Sequence, residues 1–249
     1  EDFTTDRLVA MDILHQPERV IIEYNGMWLV SNFEKMQLPK GWGVEQQITC
    51  VDGSTFQMYM ANMKSIFMDM IKNTDMVIFN RCKKEDPLPT YRRGIKVANQ
   101  RAEVIFEDEE GELGDIFQDE MPFDMNAPVI EILPEDYGIW FVDAMDHPEN
   151  YEGKTVKFKA RVMKPRGMGS KFFVPGRTAM TCCADDTTFL GYVCKSAYAP
   201  KLTAGQWVEV TAKVGIEKRN EYQGEEGIVL DAEYVETCEP LADEMVYFN

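Results

Sequence analysis

Polar residues follow apolar runs at three places in the first half of the chain. Ligands of open parallel sheets bind beyond the carboxyl ends of the strands, so these exits are candidate ligand contacts. A structural interpretation is also open, because Asp52 or Ser54 can cap the following helix, Gly26 can permit a turn and Asn80 can stabilise a loop. The exits are Glu23-Tyr24-Asn25-Gly26, Asp52-Gly53-Ser54-Thr55 and Asn80-Arg81-Cys82-Lys83.

A second group with metal-binding chemistry lies in the other half of the chain. Cys182, Cys183 and Asp186 offer two thiolates and a carboxylate, which are suitable zinc ligands, and Cys194 could approach from a neighbouring strand. Adjacent strand residues point to opposite faces, so both sulfurs reach one ion only where the backbone is irregular. The alternatives are buried structural cysteines and a structural ion pair between Arg177 and Asp186.

The first half alternates between strand and helix patterns. Apolar runs at Val20, Ile48, Met76 and Val104 are each 28 residues apart, the length of a strand plus a helix and its loops. Runs that stay apolar at successive positions predict parallel strands covered on both faces. Helical patterns cover residues 6–15, a short piece after Trp28, and residues 55–73 and 92–99. We therefore predict an α/β domain with a parallel sheet at residues 1–126.

The second half, residues 127–249, changes to strict alternation of apolar and polar residues. Alternation over residues 156–162, 208–216 and 228–234 predicts antiparallel strands with one solvated face. Residues 172–183 and 189–194 bring the number of strands to about five. Five strands close a small Greek-key barrel of the oligonucleotide/oligosaccharide-binding (OB) kind. A sandwich is the alternative.

Charge and composition exclude several classes of protein. Asp and Glu total 43 against 26 Lys and Arg, a net charge of −17, which argues against binding to phosphate backbones or anionic lipid. A basic stripe from Lys157 to Arg166 includes Phe158, but the alternation places that ring on the face opposite the lysines. We therefore predict no nucleic-acid partner.

The location of the protein is predicted from the same composition. No apolar run approaches the roughly 20 residues that span a bilayer, so we expect no direct membrane insertion. Six cysteines in 249 residues are too few for a disulfide-stapled scaffold and favour a reduced, cytoplasmic protein.

The order of the exits resembles the CobW-type metallochaperone GTPases over residues 18–125. Glu23 and Gly26 match the first motif of that family, Asp52 and Phe56 match its middle strand, and Asn80 matches the Asn of its N-K-x-D exit. The resemblance implies a P-loop-type nucleotide-binding fold, GTP with Mg²⁺ as cofactor and a role in metal homeostasis. The chain departs from the family's guanine-reading exit, because Lys83 stands where the family has an Asp, and an ammonium group only donates hydrogen bonds.

The family's phosphate loop, G-x-x-x-x-G-K-[ST], does not occur in this sequence. The nearest segment, Gly153-Lys154-Thr155, has Pro148 in place of the leading glycine and runs into a strand. Without a phosphate cradle and Mg²⁺ ligand, we predict no nucleotide hydrolysis by the chain as given, and expect GTPase activity only from a full-length relative. We expect the first strands of the sheet to be missing, with an exposed edge near Val20-Ile21-Ile22 that favours a homodimer.

Residues 136–249 resemble a domain of unknown function of YcgQ-like proteins, which are presumed partners of a permease. The resemblance rests on a G-R-x-x-M-x-C-C-x-x-D pattern, matched by Gly176, Arg177, Met180, Cys182, Cys183 and Asp186. Together, the two resemblances predict a fragment of a CobW-like GTP-binding protein of metal homeostasis, fused to a β domain that binds metal or associates with a permease. The alternative is a non-enzymatic interaction module in which the sheet exits are relics and the barrel docks a partner protein, a permease or a metalloprotein.

Overall fold

The chain divides into two compact units. A computed structural model describes residues 3–114, 121–180 and 187–246 of the 249-residue chain. The first unit comprises residues 1–88 and 98–116, and the second comprises residues 89–97 and 117–249. No helix among the described residues is long and apolar enough to cross a bilayer.

The first unit contains a three-stranded parallel sheet in the order β1-β2-β3. Helix α3 connects the first two strands, and helix α4 connects the second to the third. Parallel strands need a connection of about a dozen or more residues, which is usually a helix, and both connections here contain one. The elements of this unit are α1 (Thr5–His15), α2 (Val30–Glu34), β1 (Ile48–Asp52), α3 (Phe56–Ile71), β2 (Met76–Asn80) and β3 (Glu103–Phe106). Helix α4 (Leu88–Ala98) follows β2 in sequence, but its residues 89–97 belong to the second unit.

The 28-residue spacing predicted these three strands, and Ile48 lies opposite Met76 in the sheet. The strand predicted at Val20-Ile21-Ile22 is wrong, because these residues are irregular and Ile21 is 91% exposed. The run is only three residues long and lies between the charged Arg19 and Glu23, so it cannot fill a strand that is covered on both faces. The sheet edge predicted there is therefore absent from this segment.

Aromatic packing joins α3 to one face of the sheet. Phe56 and Phe67 of α3 are buried, and the Phe56 ring lies 4.9 Å from the Phe79 ring of β2. Phe79 in turn stacks on Phe106 of β3 at 4.8 Å. On β1 the burial alternates, with Cys50 exposed. The prediction that both faces of the strand are covered is therefore wrong for β1.

The second unit is built around a closed β-barrel. Its five strands follow the closed order β5-β6-β8-β10-β9-β5, in which only the pair β8–β10 is parallel. The predicted small barrel is confirmed, but it is not wholly antiparallel. β9 lies between β8 and β10 in sequence and runs opposite to β10, so β8 and β10 run in the same direction. The barrel strands are β5 (Thr155–Met163), β6 (Phe172–Met180), β8 (Val193–Lys195), β9 (Trp207–Lys218) and β10 (Glu226–Thr237).

Shorter elements extend the barrel of the second unit. β4 (Ile130–Glu131) pairs in parallel with β5, β11 (Met245–Val246) pairs in parallel with β6, and β7 (Thr187–Gly191) pairs with β6 in the same hairpin as β8. Helix α5 (Tyr137–Asp146) packs on the barrel through Trp140, whose ring lies 4.8 Å from that of Phe158. Phe158 is thus a core residue, as the alternation of β5 predicted.

Two glycines let the strands of the β6–β7 hairpin approach each other closely. Gly176 lies opposite Gly191. A Cβ atom on Gly176 would lie 2.3 Å from the Leu190 carbonyl oxygen and 2.4 Å from the Phe189 ring. Neither neighbour is the free end of a flexible chain, so the hairpin requires glycine at position 176.

Gly176→Ala should therefore destabilise the barrel by about 1–3 kcal/mol, the usual range for overpacking a tight site. Urea unfolding followed by tryptophan fluorescence measures the change. Gly94→Ala is the matched control, because a Cβ on Gly94 meets no atom within 4 Å. It should leave stability unchanged or raise it slightly, since alanine favours a helix interior. Equal effects of the two substitutions would contradict the packing argument.

Candidate functional site

Asp52 and Asn80 end adjacent strands and lie opposite each other in the sheet register. The Asp52 carboxylate accepts hydrogen bonds from the Ser54 backbone N–H at 3.0 Å and the Ser54 hydroxyl at 2.6 Å. Its other oxygen forms an ion pair with Arg81 at 2.5 Å. The hydrogen bond from the Ser54 hydroxyl is the main cause that lowers the pKa of Asp52, and Arg81 adds to it. Asp52 thus caps the following turn, as the structural interpretation proposed.

The loop after β2 is tightly built. Arg81 has a positive φ of 54°, which is uncommon for a residue with a side chain. A Cβ on Gly53 would lie 2.8 Å from the Cys82 sulfur, so glycine lets this loop approach the end of β1. The Asn80 Oδ1 atom is buried and has no hydrogen-bond partner among the described residues. Burial raises the pKa of the Cys82 thiol to about 11, which keeps it protonated and unreactive at neutral pH.

The other predicted contacts of the first unit are distributed differently. Glu23 is exposed in the irregular segment before α2, and no hydrogen bond or ion pair joins it to Asp52 or Asn80 in the described part of the chain. Gly26 lies in a turn, and its carbonyl oxygen accepts a hydrogen bond from the Tyr59 hydroxyl of α3 at 3.3 Å. Phe56 is a core residue. The structure therefore brings Asp52 and Asn80 together, but shows no contact between them and Glu23.

The predicted metal ligands Cys182, Cys183 and Asp186 lie outside the described residues. They belong to the connection of residues 181–186, which joins β6 to β7, where Met180 and Thr187 are paired. Cys194 is fully buried opposite Phe173, at the end of the hairpin away from this connection. Burial strongly raises the pKa of its thiol, so Cys194 does not fit the ligand role considered above. Within residues 3–114, 121–180 and 187–246, no group of acidic, cysteine and histidine side chains could hold a metal.

Arg177 of β6 is 2% exposed and is held by backbone carbonyl groups. Its guanidinium donates hydrogen bonds to the oxygens of Pro134, of Asp243 at 3.1 Å and of Met245 at 3.0 Å. It also lies 5.6 Å from the centre of the Tyr137 ring. Burial lowers the pKa of this group. Arg177 thus fixes the segment before α5 and the strand β11 to the barrel, while its considered ion-pair partner Asp186 lies outside the described residues.

The sequence interpretation missed a charged cluster in the second unit. Asp146 of α5 forms ion pairs with Arg92 and, at 3.6 Å, with Lys96 of α4. One turn earlier, Asp143 accepts a hydrogen bond from the Tyr151 hydroxyl at 2.6 Å, while burial raises its pKa. The spacing of Arg92 and Lys96 on a helical pattern was the available signal. The charges neutralise one another, which favours a structural role.

Comparison with known families identifies the second half of the chain. The family described as the DUF1980 C-terminal domain matches residues 112–248. The chain belongs to this family. The match confirms the predicted domain of unknown function, and the barrel and Arg177 fall within the DUF1980 C-terminal domain. No curated protein matches the chain.

Solved structures that resemble the chain do so distantly. A mitochondrial single-stranded DNA binding protein from S. cerevisiae is 10% identical, with a TM-score of 0.22, over 35% of this chain and 97% of its own. Aspartyl-tRNA synthetases from Entamoeba histolytica and Leishmania major are 16% and 19% identical, with TM-scores of 0.26 and 0.25. They match over 47% and 46% of this chain, and 27% and 21% of their own.

Arg177→Lys should destabilise the DUF1980 C-terminal domain, because an ammonium group cannot reproduce the fork that reaches three carbonyl groups. Each buried carbonyl left without a donor costs about 1–3 kcal/mol. Urea unfolding gives the size of the loss, and amide hydrogen exchange at Met245 and Val246 should accelerate. The control is Arg161→Lys on the exposed face of β5, where we expect a change within about 0.5 kcal/mol. An unchanged rate of amide hydrogen exchange in β11 of the Arg177→Lys variant would show that Arg177 does not hold this strand.

Proposed function

We propose that this chain handles a thiolate-preferring metal ion through its DUF1980 C-terminal domain, and that Cys182, Cys183 and Asp186 are the ligands. The observation that carries the proposal is the pairing of Met180 with Thr187, which brings the two ends of the connection 181–186 to neighbouring strands. Strand neighbours lie about 5 Å apart. Cys182, Cys183 and Asp186 all belong to the six residues that separate these two paired ends in sequence.

The chemistry of this donor set fits zinc. Zinc binds cysteine sulfur, histidine nitrogen and carboxylate oxygen in tetrahedral sites, and three protein ligands leave one position for water or a partner's ligand. An open position is what a protein that transfers metal requires. The buried Arg177 and the paired glycines of the hairpin support the proposal, because they fix the strands from which the connection extends.

Zinc content tests the ligands directly. Purified wild-type chain should retain one zinc ion, measured by mass spectrometry against a competing chelator. Cys182→Ser or Cys183→Ser should weaken binding by at least about 10–100-fold, the loss seen even for groups that only support a ligand. Affinity should also fall as the pH is lowered, because protons compete for the thiolates.

The matched control for zinc binding is Cys50→Ser. Cys50 is exposed on β1, in the first unit, and it should leave zinc content unchanged. Equal zinc binding by the wild type and both hairpin variants would overturn the assignment. So would a loss of zinc from Cys50→Ser that matches theirs.

For the first unit, we propose a CobW-like origin without hydrolytic activity. The parallel order of β1, β2 and β3 and the polar residues at two strand ends support the origin. The residues do not fit a GTP–Mg²⁺ complex, however. Asp52 is engaged by Ser54 and Arg81, and Lys83 cannot accept hydrogen bonds from guanine. Glu23, Gly26 and Asn80 remain proposed nucleotide contacts of a full-length relative.

GTP incubated with the chain should release phosphate no faster than GTP in buffer, because the sequence supplies no phosphate loop. A phosphate-release assay with Mg²⁺ measures this, with Asp52→Asn as the companion variant. Hydrolysis by the wild type that Asp52→Asn abolishes would contradict the proposal and assign Asp52 a catalytic role.

A second candidate function is a non-enzymatic interaction module. It is favoured by exposed apolar side chains in the first unit, where Ile13, Leu14 and Ile21 are 72%, 75% and 91% exposed. Protein interaction sites expose apolar side chains of this kind when they form a contiguous patch. The partner would be a permease or a metalloprotein. A chain that binds neither zinc nor nucleotide would favour this candidate over the metal-handling function.

A further inference from the structure

Positive charge is concentrated in one part of this acidic chain. Residues 154–180 and 187–208 contain ten of the 26 Lys and Arg residues and none of the 43 Asp and Glu residues. These ranges form β5, β6, β7 and β8 and the loops beside them. The remainder of the chain therefore carries all of the acidic excess, and the second unit has a region whose charge opposes that of the whole.

The strand lysines of this region are partly neutralised. Lys157 of β5 forms ion pairs with Glu209 at 3.0 Å and with Glu131 at 4.0 Å. Phe172 of β6 has one ring face covered by the Arg219 guanidinium, 4.3 Å away. Lys157 is thus neutralised by carboxylates, and one face of the Phe172 ring is already covered.

At one end of the barrel, hydrogen bonds to the backbone bring four lysines and an exposed tyrosine into neighbouring segments. Tyr198 is 46% exposed, and its backbone carbonyl accepts a hydrogen bond from the Lys201 N–H at 2.9 Å. The Lys164 ammonium donates to the carbonyl of Ala199 at 2.6 Å. The Lys171 carbonyl accepts a hydrogen bond from the backbone N–H of Ser196, the residue after Lys195, at 2.9 Å. We call this group the Tyr198 surface; its members are Lys164, Lys171, Lys195, Tyr198 and Lys201.

Three cations of the Tyr198 surface are free to meet a ligand. Lys171, Lys195 and Lys201 are exposed, and no ion pair or side-chain hydrogen bond joins them to another described residue. The nearest acidic residue in the sheet register is Asp231, opposite Lys195, and no ion pair forms between them. Exposed lysines and an exposed aromatic ring at the same end of the barrel suit a ligand with both phosphates and flat apolar groups.

We propose that the Tyr198 surface binds single-stranded nucleic acid. Unpaired bases stack on an exposed aromatic ring whatever their sequence, and lysines that track the backbone bind the phosphates. The objection raised by Phe158, that ring and lysines lie on opposite faces, does not apply here, because Tyr198 and its lysines share one end of the barrel. A duplex hides the faces of its bases, so single strands are the form recognised.

The net charge of −17 limits the strength of this binding but does not exclude it. At physiological salt the Debye length is about 8 Å, so distant acidic residues are screened while lysines in contact act on the phosphates. We expect a dissociation constant of about 1–100 µM, as is usual for contacts without sequence preference. The three free lysines should give a logarithmic salt slope of about −2.

Fluorescence anisotropy of labelled twelve-nucleotide dT and rU oligonucleotides tests the proposal with the full chain. Tyr198→Leu should weaken binding about 5- to 100-fold, while Tyr198→Phe should retain it, because a phenyl ring still stacks. Lys171→Gln and Lys195→Gln should each reduce the salt slope by about 0.7. Asp231→Asn should strengthen binding, because it removes a negative charge opposite Lys195.

The controls distinguish this surface from general attraction to anions. The double substitution Lys35→Gln with Lys40→Gln, at exposed positions of the first unit, removes the same charge as Lys171→Gln combined with Lys195→Gln and should leave binding unchanged. Vesicles containing phosphatidylserine provide the second anion. Absence of oligonucleotide binding, equal losses from the control pair, or binding to vesicles alone with no effect of Tyr198→Leu would each overturn the proposal.

Discussion

The second unit depends on one buried cation, the guanidinium of Arg177. An arginine with 2% of its surface exposed must exchange water for other acceptors, because an unpaired buried charge is strongly unfavourable. Here the acceptors are backbone carbonyls from two distant stretches of sequence, at Pro134 and at Asp243 and Met245. The segment before α5 and the strand β11 are thereby fixed to the same strand, β6. That strand leads directly to the connection that contains Cys182 and Cys183.

Within the same hairpin, glycine and arginine have complementary roles. Gly176 lets β6 approach β7 more closely than any side chain would permit. Its neighbour Arg177 donates hydrogen bonds to backbone carbonyl groups away from that contact. The G-R part of the motif is thus explained by packing and hydrogen bonding. Its C-C-x-x-D part lies outside the described residues, and the proposal that it binds metal rests on the chemistry of its side chains.

Periodic patterns were the part of this fold that could be predicted. The spacing between Ile48 and Met76 reflects one strand with its crossover helix, and the alternation around Phe158 reflects a barrel wall with one buried face. The strand predicted at Val20 was wrong because an apolar pattern shows which residues could be buried and does not show whether a partner strand is present. The parallel pairing of β8 with β10 depends on barrel closure, which local sequence does not encode.

Candidate sites were less predictable than the strands. Asp52 and Asn80 could be placed side by side, because parallel strands end at one edge. Tyr198 could not be connected with Lys164 and Lys171, since 27 or more residues separate them in sequence and only the closed barrel brings them together. Cys194 seemed a suitable ligand by residue type, but its position in the barrel core could be known only from the strand register.

X-ray absorption at the zinc edge of the purified chain tests the central claim most directly. If the hairpin supported by Arg177 and Gly176 carries the metal, the spectrum should show two sulfur atoms at about 2.3 Å and oxygen at about 2.0–2.2 Å. A shell of nitrogen and oxygen alone would contradict the account, because the metal would then be bound without Cys182 and Cys183.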